Sequence, residues 1–183
     1  MRDARYIKNM VLTALFIASG LLLPSFFHFV GAGAAFLPLH LPVLVCGLVC
    51  GWQWGLLAGL TLPLLSSLTT GMPPLYPVAC AMTFELAAYG FFTGWLLPRF
   101  SARRAGFYTS LIAAMLGGRL VSGAAQVVLF GLAGLPFGWR IFVVGAFVTA
   151  LPGILLQLLL VPPLAMAINR LLAYRAAPIN GEL

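Results

Sequence analysis

The chain has 183 residues, of which 62% are hydrophobic and only 7% charged, and its net charge is +7. Average soluble chains carry about 25% charged residues, and a soluble fold of this size would expose apolar patches large enough to aggregate. A soluble domain is therefore excluded. So is a nucleic-acid surface, because the Lys and Arg residues sit at the ends of long apolar runs rather than along one stripe.

A helix needs about 20 apolar residues to cross the hydrocarbon core. Six such segments are predicted, at residues 6–27, 37–51, 54–70, 76–97, 106–132 and 140–172. The fold expected is an all-α integral membrane protein, one six-helix domain over residues 1–183.

Arg2, Arg5 and Lys8 followed by an apolar run resemble a signal peptide. The run meets no small-residue cleavage site before the chain turns apolar again, so a retained first helix is expected. The segment 24–38 that follows carries Phe26, Phe27, His28, Phe29 and Phe36, and loops of that length usually carry function. Spans two and three are short and rich in Gly and Pro: Pro42, Gly47 and Gly51, then Gly55, Gly59 and Pro63. They are either interrupted helices lining a cavity or ordinary short spans joined by a tight turn over residues 51–55. Cys46, Cys50 and Cys80 lie in apolar stretches without zinc or CxxC spacing and read as small buried thiols. Residues 69–76 form a stiff turn between spans three and four.

Orientation follows from the positive-inside rule. With six spans both termini share one side. Arg2, Arg5, Lys8, Arg99, Arg103, Arg104, Arg170 and Arg175 all fall on that side, against Arg140 alone on the other. Both termini are therefore expected in the cytoplasm of a bacterial cell, with the chain a multi-pass protein of the plasma membrane. Residues 24–38, 71–75 and 133–139 then face outward.

Charges at membrane depth are costly and mark function. Two are found, Glu85 in span four and Arg119 in span five. At 1.5 Å per residue they lie about 13 Å and about 20 Å below the outer ends of their spans, within mutual reach. They read as a structural ion pair, as the polar floor of a ligand pocket, or as both. Phe27, His28, His40, Thr70, Tyr76, Tyr89, Gln126 and Trp139 collect in the outer half and complete the candidate substrate contacts. Gln157 reads as a helix-packing residue, and so do Ser66, Ser67 and Ser122. His28 and His40 lack a third metal ligand, and no metal or cofactor is expected. No nucleophile constellation can be assembled, so an enzyme is not expected. The phosphate-binding loop GxxxxGK[ST] is absent, Lys8 being the sole lysine.

The sequence resembles the substrate-binding (S) subunits of energy-coupling factor (ECF) vitamin transporters along essentially its whole length. The resemblance rests on Ala14-Leu15-Phe16-Ile17-Ala18, Leu37-Pro38-Leu39-His40-Leu41-Pro42-Val43-Leu44 and Pro63-Leu64-Leu65-Ser66-Ser67-Leu68-Thr69-Thr70-Gly71-Met72-Pro73-Pro74. It continues in Phe84-Glu85-Leu86-Ala87, Gly118-Arg119 and residues 145–153. It implies a subunit that binds a vitamin or precursor from outside, usually in a pocket near the outer face. A membrane scaffold (T) subunit and two ATPases would supply the energy, and Ala14 and Ala18 would contact the scaffold. It does not carry over the vitamin: pantothenate, pyridoxine, a thiamine pyrimidine precursor and cobalamin-related compounds all stay open. The alternatives are a self-sufficient small secondary transporter or channel, which usually shows internal repeats and paired broken helices, and an integral-membrane enzyme.

Overall fold

In the computed structural model, which describes residues 2–29, 37–100 and 104–176, every described element is helical. They are α1 (Arg2–Phe29), α2 (His40–Cys50), α3 (Trp52–Thr70), α4 (Cys80–Phe100), α5 (Arg104–Leu132), α6 (Trp139–Val143) and α7 (Leu151–Ala176). Leu75–Ala79 is an irregular turn into α4 in which Tyr76 is extended, and Val144–Thr149 is a π-helical stretch joining α6 to α7. Among the described residues, four segments are long and apolar enough to cross a membrane: Asp3–Pro24, Leu75–Phe100, Arg104–Leu132 and Leu151–Ala173.

Successive helices alternate in direction. Asn9 Nδ2 donates to the Cys50 carbonyl at 3.2 Å and so ties the start of α1 to the end of α2. Asn169 Nδ2 donates to the Leu48 carbonyl at 3.3 Å and brings the second half of α7 to the same level. Arg5, Lys8, Arg99, Arg104 and Arg170 consequently gather at one end of the bundle, called here the basic end.

α4 packs against α2, α3 and α5 and forms the centre. Its approach to α3 is close because glycines face one another. A Cβ on Gly55 would strike the Gly90 carbonyl, one on Gly90 would strike the backbone of Gly55, and one on Gly59 would strike the backbone at Leu86. Small residues at such a seam let backbones meet where lipid supplies no hydrophobic drive. α2 is apolar on all sides, the pattern of a helix covered on all sides, and every residue except Leu41 and Val49 is buried. One core joins Leu44 and Leu48 of α2 with Tyr89, Leu111, Val161 and Ala165; a second joins Val43 and Cys46 with Ala58, Leu62 and Leu86. α1 is the most peripheral of the long helices. It turns Thr13 and Gly20 inward, while Val11, Ala14, Leu15, Ala18 and Leu22 are exposed.

One open alternative is decided and two expectations are corrected. Spans two and three are two separate helices, and the turn between them is Gly51 alone, at φ 93° and ψ 174°, a conformation that favours glycine. The predicted loop over residues 24–38 starts later, because α1 runs through Pro24 to Phe29; in an apolar setting, continuing the helix with one bond missing is cheaper than unfolding it. Residues 30–36 lie outside the described residues. The sixth span is interrupted rather than continuous. Pro152 lacks an N–H and its ring conflicts with the carbonyl four residues earlier, so it is accommodated in the first turn of a new helix, α7.

Candidate functional site

The cluster is built by helix spacing. Glu85 and Tyr89 stand four apart on α4, while Arg119, Ser122 and Gln126 stand at offsets of three and four along α5, so each set shares one face. His40 opens α2 beside them. Gly118 lets the Tyr89 ring lie against α5, since a Cβ there would collide with the ring. The His40 and Tyr89 rings meet at 5.4 Å between centroids.

Glu85 is the hub and is 5% exposed. Its Oε1 accepts from Arg119 Nη1 at 2.7 Å and from the Tyr89 hydroxyl at 3.2 Å. Its Oε2 accepts from the Ser122 hydroxyl at 2.8 Å, and Gln126 Nε2 donates to Ser122 Oγ at 3.1 Å. His40 Nε2 stands 3.5 Å from Oε1 without a hydrogen bond, and neither ring nitrogen has a partner among the described residues. Arg119 is 8% exposed, and its Nη2 likewise has no partner among them. A buried guanidinium with an unpaired N–H group is costly.

A cleft of about 360 Å³ is lined by Arg119 and Gln126 at its polar end, by Phe130, Phe137 and Phe142 on its walls, and by Gly145 and Ala146 of the π-helical stretch. Its volume lies in the range of small-molecule sites, roughly 300–1,000 Å³. The interruption between α6 and α7 therefore forms part of its wall, the setting in which irregular backbone is tolerated at membrane depth. A larger cleft, about 510 Å³, lies at the basic end among Arg5, Tyr6, Asn9, Trp52, Gln53 and Trp54. It is far from the buried charges, and its Tyr, Trp and Arg side chains are those expected at a membrane–water interface.

The structure thus brings together His40, Glu85, Tyr89, Arg119 and Gln126. Trp139 is 61% exposed and packs edge-on against Phe137 and Phe142 at 5.2 Å and 5.9 Å, at the edge of the cleft walls. Tyr76 is exposed and donates to the Leu129 carbonyl at 3.0 Å, one residue from the cleft-lining Phe130. Thr70 stands apart: its hydroxyl donates to the Ser66 carbonyl at 2.7 Å and shapes the turn at Gly71 and Met72. Phe27 and His28 fall in the last turn of α1, and their side chains lie outside the described residues. Ser122, expected to serve only helix packing, is a link in the network. The signal was in the sequence, since Ser122 shares a helix face with Arg119 and Gln126. Phe130, Phe137 and Phe142 carried no such signal, because their convergence depends on the break between α6 and α7. Among the described residues no group of three or more His, Cys, Asp or Glu side chains is placed to hold a metal ion.

A helical bundle with several membrane-length apolar helices has the build of a multi-pass membrane protein. A family model, ECF transporter, substrate-specific component, matches residues 8–165, and the chain belongs to that family. No curated protein and no solved structure matches it. The chain is thus a multi-pass membrane protein and the substrate-binding component of an ECF transporter, a class of transport subunit rather than of enzyme. The family implies association with ECF T and ATPase modules and a small-molecule substrate.

Proposed function

We propose that this chain captures a vitamin or vitamin precursor from outside a bacterial cell with high affinity and delivers it to a shared ATP-driven module in the plasma membrane. The observation that carries the reading is a 360 Å³ cleft lined by the buried Arg119 and by Gln126 beside three phenylalanines. In this reading residues 1–183 form one domain of six spans: α1, α2, α3, α4, α5, and α6 with α7 as an interrupted sixth. The clustering of basic residues at one end supports both termini being cytoplasmic, and the cleft then opens to the outside. Arg119 and Gln126 contact substrate. His40, Glu85, Tyr89 and Ser122 orient them from behind. Trp139, Tyr76 and Thr70 belong to the rim, and Phe27 and His28 to the roof.

Ala14 and Ala18, on the exposed face of α1, are assigned to the scaffold subunit. Membership of a family energised by separate modules favours this reading over a self-sufficient secondary transporter or channel.

The test is direct binding of a panel of vitamins and precursors, of every charge, to the purified protein in lipid nanodiscs. Saturable binding of one member, lost in Arg119→Gln while the variant remains folded, is the expected result. A native protein that binds none of the panel would overturn the assignment.

A further inference from the structure

We propose that the cleft at the basic end holds the phosphate of an anionic membrane lipid, whose headgroup lies between the first turns of α1 and α3. This site is separate from the Arg119 cleft, and its occupancy does not depend on what that cleft binds.

The cleft, about 510 Å³, is lined by Arg5, Tyr6 and Asn9 of α1 and by Trp52, Gln53 and Trp54 of α3. Gly51 opens it: one residue without a side chain separates α2 from α3, and a Cβ there would meet nothing within 4 Å. Arg5, Tyr6, Trp52 and Gln53 are exposed, and Asn9 and Trp54 are half-buried, so the lining is open to a ligand. The apolar segments Asp3–Pro24 and Leu75–Phe100 both have an end at this level. That puts the cleft at the membrane–water boundary, where Trp and Tyr rings are at home beside lipid headgroups. Tyr6 and Trp54 meet at 5.2 Å between ring centroids, and Trp52 packs edge-on against Phe91 at 5.6 Å.

The sign of the cleft is positive. None of its lining residues is acidic. Arg5 has no carboxylate partner among the described residues, where both ion pairs are made by Glu85. Asp3 stands two positions from Arg5 on α1, and residues two apart do not share a helix face. Lys8, Arg99, Arg104 and Arg170 add to the potential at the same end. Arg99 is already engaged, its guanidinium 3.7 Å from the centre of the Trp95 ring. The carbonyls at the end of α2 would repel an anion, but two of them are answered, Cys50 by Asn9 and Leu48 by Asn169. Arginine offers a phosphate two parallel N–H donors, and basic pockets between membrane helices are a setting in which anionic headgroups are recognised. Continuity with an apolar surface favours a lipid over a free phosphate. Met10 lies one turn above Tyr6 on the same face of α1 and is exposed, as is Ile7 beside it, so acyl chains have a surface to follow out of the cleft.

The test titrates the full-length protein, in micelles of a neutral detergent, with phosphatidylglycerol or phosphatidylethanolamine carrying brominated acyl chains. Tryptophan quenching is the readout, since two of the four tryptophans line the cleft. Saturable quenching by phosphatidylglycerol is expected at a mole fraction about fivefold lower than for phosphatidylethanolamine. Arg5→Gln, an exposed substitution, should erase that preference. Arg170→Gln, exposed at the same end but outside the cleft, should keep it. Inorganic phosphate, at matched ionic strength, should not displace the lipid. Equal quenching by the two lipids would overturn the proposal. So would an equal loss of preference in the two variants, which would reduce the effect to the general field of the basic end. Displacement by inorganic phosphate would overturn it too, and would give the cleft to a soluble phosphate.

Discussion

Glu85→Gln is the sharpest perturbation. It keeps the shape of the side chain, but removes the charge that faces Arg119 at 2.7 Å and turns one of the two oxygens that accept from Tyr89 and Ser122 into an NH2 donor. The guanidinium is left buried with no counter-charge, because no other carboxylate faces it among the described residues. Removing one partner of a buried pair costs about 3–5 kcal/mol. At roughly 2–4 °C per kcal/mol for a chain of this size, the midpoint of thermal unfolding should fall by about 6–20 °C. Arg119→Gln should do the same from the other side, leaving the carboxylate unpaired. The double variant should be more stable than the sum of the two single losses by at least about 2 kcal/mol, because neither charge is then stranded. The assay is thermal unfolding of all four proteins in nanodiscs, with substrate affinity measured on the same samples. A Glu85→Gln protein that melts within about 2 °C of native would refute the mutual dependence of the pair. A folded double variant that binds substrate with native affinity would remove the pair from the site and leave it a purely structural contact.

Gly90→Ala should destabilise the protein by about 1–3 kcal/mol, because its Cβ would meet the backbone of Gly55. Gly131→Ala, with open space around the added carbon, should be neutral or stabilising by up to about 1 kcal/mol; equal effects at the two positions would contradict the close α3–α4 seam. Ala14→Trp with Ala18→Trp should leave substrate binding intact and abolish uptake by the complete transporter, and uptake surviving at normal expression would place the scaffold contact elsewhere. Reporter fusions at the C-terminus should be active only as cytoplasmic reporters, and an active external reporter would overturn the six-span reading.

Much of this molecule is legible in one dimension because membrane depth is linear in sequence. Apolar run lengths place helices and a fixed rise per residue assigns depth, so Glu85 and Arg119 could be matched before any packing was known. Spacing on one helix is equally legible: Glu85 with Tyr89, and Arg119 with Ser122 and Gln126, follow from offsets of three and four. Ser122 was missed only because serine is common in helix seams. What the sequence cannot express is which faces of different helices turn toward each other. That His40 comes to Glu85, while Thr70 serves a turn and Tyr76 caps a carbonyl, depends on how α2, α4 and α5 pack. The placing of the helix break also needed the fold. Spans two and three carried the denser Gly and Pro signals, yet Gly47, Gly55 and Gly59 are used for close approach within unbroken helices. The break falls at Val144–Thr149, where it lines the cleft. Glycine permits both close packing and interruption, and only the tertiary neighbours decide which of the two it serves.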